Sequence, residues 1–329
     1  MLILPAADVR RALPMAQTIA AMKSAYAALS AGKAEVPLRS RLPIPPHEAV
    51  SLFMPVFLQD ESSEALAVKI VSLFPHNPER GLPLIHAAVL VLEADSGRPL
   101  ALLEGSTLTA IRTGAASGAA TDLLARPDSR VVAIFGAGVQ GRTQLEAVCT
   151  VRNIETAWIF DSQAERSAAC IREMTGQGPV PADLRAARSP EQAVAEADII
   201  CTATTSLTPV FADNQLKPGV HINGVGSYTP EMQEVPSETV RRALVVVDSR
   251  SAALSEAGDL IHPIRQGLIT EEHIHAELGE IVLGEKSGRG GETQVTFFKS
   301  VGVAVQDAAA SRLALQNARQ MGLGSIVNW

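Results

Sequence analysis

The decapeptide ALAVKIVSLF (Ala65 to Phe74) is apolar and β-branched, without Gly or Pro, and its pattern predicts a strand. Alternation along a strand places Leu66, Val68, Ile70 and Phe74 on one face and Ala67, Lys69, Val71 and Leu73 on the other. Lys69 is the one charged residue in the run. VSLFMPVFL, IHAAVLVLEA and PLALLEG read as further strands, with ADSGRP (Ala94 to Pro99) as the hairpin turn between the last two. Upstream, PMAQTIAAMKSAYAALSAG predicts a helix stopped by Gly32. Downstream, a helix of small residues runs from about Ser106 through TAIRTGAASGAATDLLA and closes before Pro127.

From Arg130 onward strands alternate with helices. RVVAIF, TAWIFD, IICTAT, HINGVG and ALVVVD read as strands, and RTQLEAVCTV, QAERSAACIREM and SPEQAVAEAD as helices. The alternation predicts an α/β fold with a parallel sheet covered on both faces. The last long helix, GVAVQDAAASRLALQNARQMG, follows this region and is expected to return to the first domain. Two domains are therefore expected. Residues 1–118 with 305–329 form an α+β domain, and residues 119–304 form a Rossmann-type dinucleotide-binding domain.

Composition narrows the function without changing this division. The 329 residues are 47% hydrophobic and 19% charged, which is globular rather than disordered. A net charge of −7 argues against a nucleic-acid partner. No apolar run reaches the length of a membrane span, and MLILPAADVRRALP is too soon interrupted for a signal peptide. Cys149, Cys170 and Cys201 are scattered, which fits a reducing, cytoplasmic compartment. No metal is expected, because no ligand spacing matches; His273 and His275 in EEHIHAEL would lie on different sides of a helix.

VVAIFGAGVQG carries Gly136, Gly138 and Gly141 as G-x-G-x-x-G, after a strand and opening a helix, and Asp161 ends the next strand. Gly136 would allow the tight turn, Gly138 the approach of a pyrophosphate, and Gly141 close packing of helix on strand. The helix N-terminus offers N–H groups and the positive end of its dipole to phosphates. Asp161 would accept hydrogen bonds from the adenosine ribose. It favours NAD(H); NADP(H) is the alternative, since Arg166 could turn toward a 2′-phosphate. A nicotinamide cofactor carries the hydride chemistry, so the protein must hold and polarise a substrate. Candidate cations are Arg39, Arg41, Lys69, Arg80 and Arg112. Arg112 lies on a small, apolar helix face, and a lysine buried like Lys69 needs a partner.

Taken together, VPLRSRLP, AVKIVSLFP, GSTLTAIRTGAASGAAT, VVAIFGAGVQG, PGVHINGVGSYTPEMQEV, VDSRSAALSEAGDL, AELGEIVLG and TQVTFFKSVGVAVQD, in this order, resemble the ornithine cyclodeaminase/μ-crystallin family over nearly the whole chain. The resemblance implies a homodimer whose first domains build a β-barrel together. It implies that Arg39, Lys69 and Arg112 hold a substrate carboxylate, that His86 lies near the substrate, and that Lys69 and His86 are the catalytic pair. It places cofactor contacts at Arg112, Thr113, Gly136, Gly138, Val139, Gln140, Gly141, Asp161, Thr202, Ala203, Thr204, Val225, Gly226, Ser227, Phe298 and Lys299, the last two on a loop reaching toward the nicotinamide. Cyclodeaminases carry a basic aspartate where this chain has Tyr228, a poor base near neutral pH. Tyr228 is therefore assigned to substrate binding.

The resemblance then favours the family's ketimine reductases, which act on a small cyclic imino acid such as Δ1-pyrroline-2-carboxylate or its piperideine homologue. An alanine or N-alkyl amino-acid dehydrogenase using a 2-oxo acid, an ornithine cyclodeaminase, and a dinucleotide-dependent binding protein remain alternatives. In the reductase reading Lys69 meets the substrate's own carboxylate, and no protein Asp or Glu is expected to hold it.

Overall fold

The computed structural model describes residues 1–59 and 64–328. The chain divides into two compact units, Met1–Arg112 with Val303–Trp329, and Thr113–Gly302.

In the first unit the order is β1 (Leu2–Leu4), α1 (Ala6–Ala12), α2 (Met15–Ser30), β2 (Ala34–Glu35), β3 (Ser40–Ile44), β4 (Ala49–Gln59), β5 (Glu64–Leu73), β6 (Ile85–Leu92), β7 (Pro99–Glu104) and the start of α3 (Gly105–Leu124). Gly32 ends the α2 segment at φ +69, and Gly97 turns the β6–β7 hairpin at φ +72, where a side chain would be strained. Glu104 receives the N–H groups of Ser106 and Thr107 at 2.8 Å each and so caps α3. β4 to β7 form an antiparallel meander, β1 lies parallel to β7, and β2 and β3 both pair with β4.

β5 alternates as its sequence predicts. Ala65, Ala67, Lys69 and Val71 are buried, whereas Leu66, Val68 and Ile70 are not. The last helix, α11 of this chain (Ala304–Met321), lies on β4, β5, β6 and α2 and covers the buried face. The other face presents Phe53 and Phe57 of β4, Leu66, Val68 and Ile70 of β5, and Leu90 and Leu92 of β6, all incompletely buried.

The second unit continues from α3 with β8 (Val131–Phe135), α4 (Val139–Val151), β9 (Thr156–Phe160), α5 (Ala164–Met174), β10 (Asp183–Ala186), α6 (Pro190–Val194), β11 (Ile199–Thr202), β12 (His221–Gly224), α7 (Ser237–Arg242), β13 (Leu244–Val247), α8 (Arg250–Glu256), α9 (Gly258–Arg265), β14 (Ile274–Glu277), α10 (Leu278–Val282) and β15 (Thr296–Lys299); α11 and β16 (Ser325–Ile326) then close the first unit. All pairs in its sheet are parallel, in the order β10-β9-β8-β11-β12-β15-β13-β14. Val132 and Ile134 of β8 enter one core and Ala133 and Phe135 the other, so both faces are buried. β8 has β9 on one side and β11 on the other. The strand order therefore reverses there, and this is where open α/β sheets bind ligands.

Two local expectations are corrected. Phe298 and Lys299 do not sit on a loop: they end β15, a central strand, and both are fully buried. The helix expected over EEHIHAEL is a 3₁₀ turn ending at His273 followed by β14, in which Ile274 and Ala276 are buried. There Ile274 and Ala276 alternate with His275 and Glu277, a period of two that suits a strand. Among the described residues no helix is long and apolar enough to cross a membrane.

Candidate active site

In the second unit, three loops meet at the C-terminal ends of β8, β11 and β12. Gly136 sits at φ +93, and a Cβ on it would lie 2.5 Å from the carbonyl oxygen of Ala203. On Gly141 a Cβ would lie 1.9 Å from the Gly136 oxygen, so only glycine lets α4 start so close to the turn. Gly138 differs, because a Cβ there would meet nothing within 4 Å. It is the N-cap of α4 and offers no side-chain acceptor, and Val139 beside it is exposed. The first N–H groups of α4 are thus left for an external acceptor, and a pyrophosphate fits this cradle. Gln140 follows in the first turn of α4. Thr113 gives its carbonyl to Gln144 Nε2 at 3.3 Å, while Gly114 brings α3 against Thr143.

A cavity of about 350 Å³ opens beside this turn, lined among others by Gly138, Asp161, Arg166, Ala203 and Thr204. Asp161 accepts from the Ala137 N–H at 2.9 Å and the Gln163 N–H at 3.0 Å. Its carboxylate is fixed at the end of β9, beside the glycine turn.

Glu234, which sequence reasoning missed, ties the other two loops together. It accepts from Thr202 Oγ1 (2.9 Å), Thr204 N (2.6 Å), Thr204 Oγ1 (2.8 Å), Gly226 N (2.7 Å) and Ser227 N (3.1 Å). Burial raises its pKa, and the Asp259 charge adds to the rise; Lys299 and Thr204 oppose it. Asp259 receives the Glu234 and Val235 N–H groups at 2.7 and 3.0 Å and stands 3.2 Å from Lys299 Nζ. The motif SEAGD thereby gains a structural role. Val225 N bonds to the Thr202 carbonyl at 3.0 Å, and Tyr228, half-buried beyond Ser227, has its pKa raised by burial. Asp248 holds the chain leaving β15 through Ser300 Oγ, Val301 N and Gly302 N at 2.7–2.9 Å.

In the first unit, the absence of a protein acid at Lys69 is corrected. Lys69 Nζ lies 2.7 Å from Asp307 Oδ2, with both side chains almost fully buried. The partner comes from α11, far along the chain, so no local reading of β5 could show it. Arg112 Nε donates to Asp307 Oδ1 at 3.1 Å, and Arg112 Nη1 to Gln306 Oε1 at 2.6 Å. Gln306 also accepts from Val303 N at 3.0 Å and donates to the Tyr26 hydroxyl at 2.6 Å. Asp307 lies in the first turn of α11, where the helix dipole favours a negative charge. Burial and the neighbouring Arg112 charge bring the Lys69 pKa down to about 8; Asp307 opposes the fall and Arg39 adds to it. Arg39, half-buried just before β3, therefore belongs to the same electrostatic cluster.

His86 is not brought there. It is exposed and pairs with Ser72, three residues beyond Lys69 on β5, so it belongs to the opposite face of the sheet. The missed Asp307 and Gln306 did leave a signal, as polar residues in the alanine-rich stretch VGVAVQDAAA.

The family model for the ornithine cyclodeaminase/mu-crystallin family matches residues 1–322. A Δ1-pyrroline-2-carboxylate reductase of Bacillus cereus is 41% identical over 330 residues, covering 100% of both chains. The solved structure of Thermococcus litoralis Δ1-pyrroline-2-carboxylate reductase with NADH and L-proline superposes with TM-score 0.94 at 44% identity, covering 99% of this chain and 100% of that one. An archaeal alanine dehydrogenase dimer with bound NAD gives TM-score 0.91 at 29% identity, covering 100% and 99%.

Proposed function

This chain belongs to the ornithine cyclodeaminase/mu-crystallin family, and on that premise we propose that it is an NADH-dependent reductase of cyclic ketimines. Δ1-Pyrroline-2-carboxylate would give L-proline, and the piperideine homologue L-pipecolate. The observation that carries this reading is the buried cluster of the first unit, where Lys69 and Arg112 share one carboxylate, Asp307. Two cations on one internal anion suit a substrate that brings a carboxylate of its own.

NAD(H), when bound, supplies the hydride for the C=N carbon. The Gly136–Gly141 turn and the N-terminus of α4 would hold its pyrophosphate, and Asp161 its adenosine ribose. The loops at Thr202–Thr204 and Val225–Ser227 would hold the remainder. Arg39 and Arg112 bind the carboxylate next to the reacting carbon and so fix its position. Lys69 delivers a proton to the imine nitrogen, and a pKa near 8 suits that transfer close to neutral pH. Asp161 disfavours a 2′-phosphate by charge, which supports NADH over NADPH. Three buried thiols without disulfides fit a cytoplasmic protein.

The test is a panel of cyclic ketimines and 2-oxo acid/amine pairs with either cofactor. Turnover of the five- or six-membered ketimine is expected, with kcat/KM at least about tenfold higher for NADH. Turnover only of a 2-oxo acid with ammonia would make the protein an amino-acid dehydrogenase instead.

The uncovered face of the first sheet supports a homodimer. Contiguous apolar patches of this kind are seldom left to water in a monomer. Ile70 is 40% exposed at its centre. Replacing Val68 and Ile70 together by glutamate should give a monomer in sedimentation velocity. A dimer that survives the double change would place the interface elsewhere.

A further inference from the structure

We infer that Asp161 has a second role besides reading the adenosine ribose: together with Arg142 it positions the glycine turn, so that two side chains set the shape of the pyrophosphate cradle. The inference rests on the reading of this turn as the NAD(H) site and adds to it a pair of positioning residues. Ala137, the middle residue of the turn Gly136–Gly138, is almost fully buried. Its N–H donates to Asp161 Oδ2 at 2.9 Å, and its carbonyl accepts from Arg142 Nη1. Neither group has a main-chain partner among the described residues. A buried main-chain group held by a side chain alone depends on that side chain for its direction.

Each grip has its own consequence. The peptide between Ala137 and Gly138 is planar and trans, so a carbonyl held toward Arg142 turns the Gly138 N–H the opposite way. That N–H has no partner among the described residues and stands beside the first-turn donors of α4. Asp161 acts one peptide earlier. By taking the Ala137 N–H it ties the turn, which starts at Gly136 with φ +93, to the end of β9. Both side chains are themselves braced. Asp161 Oδ1 accepts from Gln163 N at 3.0 Å, and Arg142 Nε donates to Glu173 Oε2 of α5 at 3.0 Å. Asp161 lines the adjoining cavity and Arg142 does not, so Arg142 acts on a ligand there through the turn.

The experiment separates the turn from the ribose with 2′,3′-dideoxyadenosine 5′-diphosphate, which keeps both phosphates and lacks both ribose hydroxyls. Its affinity is measured by calorimetry at fixed ionic strength for the wild-type protein, Asp161→Ala and Arg142→Lys, with NADH titrated alongside and Tm recorded for each. A carboxylate that only reads the ribose has nothing to hold in this ligand. Its removal would leave the affinity unchanged, or raise it, because a negative charge near a diphosphate is gone. With the turn released, Asp161→Ala should instead bind the dideoxy diphosphate at least about fivefold more weakly. An affinity equal to or above the wild-type value in a folded variant overturns the inference.

Should Asp161→Ala not fold, Arg142→Lys decides. The ammonium keeps the charge but lacks the planar fork that reaches Ala137 and Glu173 together. Affinity for the same ligand should fall about threefold or more, and KM for NADH should rise with it, while kcat at saturating NADH stays within about twofold of wild type. Unchanged affinity, or a loss of kcat with KM retained, overturns the inference. A wild-type protein that binds neither NADH nor the dideoxy diphosphate defeats the reading of the turn as a cofactor site, an outcome distinct from both.

Discussion

Lys69→Ala is expected to lower kcat/KM for Δ1-pyrroline-2-carboxylate by about a thousandfold, read as NADH oxidation, since a positioned acid contributes roughly 10²–10⁴. The wild-type rate should decline above about pH 8, where Lys69 loses its proton. The alanine variant should lack that limb. Its fold should survive, because Asp307 keeps Arg112 and is not left as a lone buried charge. The lysine itself carries a folding penalty. Its pKa falls from 10.5 to about 8, so the unfolded chain binds more protons between those values. Stability attributable to Lys69 is therefore fully present above pH 10.5 and is lost as pH falls through about 8. Retention of wild-type kcat/KM by Lys69→Ala would remove the lysine from the chemistry.

Glu234→Ala should have the largest effect on stability. It strips five donors of their acceptor: three backbone N–H groups and the hydroxyls of Thr202 and Thr204. Each buried donor left unpaired costs about 1–3 kcal/mol, with water entering the vacated space recovering part of it. A net loss of about 3–5 kcal/mol is expected in urea unfolding, with Tm lowered by about 10 °C. Because the same five groups shape the loops after β11 and β12, NADH affinity should drop about tenfold or more, measured by fluorescence titration. A change below about 0.5 kcal/mol would mean that these loops hold their shape without the carboxylate.

The two buried carboxylates, Glu234 and Asp307, were also the parts hardest to read from the chain. The glycine fingerprint was legible because each glycine answers a backbone requirement within a few residues. Gly136 needs a positive φ, and Gly141 has no room for a Cβ. The alternating burial of β5 and the stop of the α2 segment at Gly32 were legible for the same reason. Two segments depart from their reading: Phe298 and Lys299, which the family resemblance places on a loop, end a central strand, and the stretch around His275, expected as a helix, is an edge strand in which apolar and polar residues alternate.

The order of residues was enough to specify a parallel dinucleotide-binding sheet, an antiparallel sheet with one charged residue in a buried row, and the anomaly of Lys69. How that anomaly is resolved depends on packing between distant segments. The ammonium in β5 is neutralised by Asp307 in α11, and His86, close in sequence to the same strands, falls on the other face of the sheet. Strand periodicity fixes which way a side chain points, but the partner of a buried charge is whatever the fold packs against it. In a low-dielectric interior that partner sets both where the proton resides and which cations remain for a ligand.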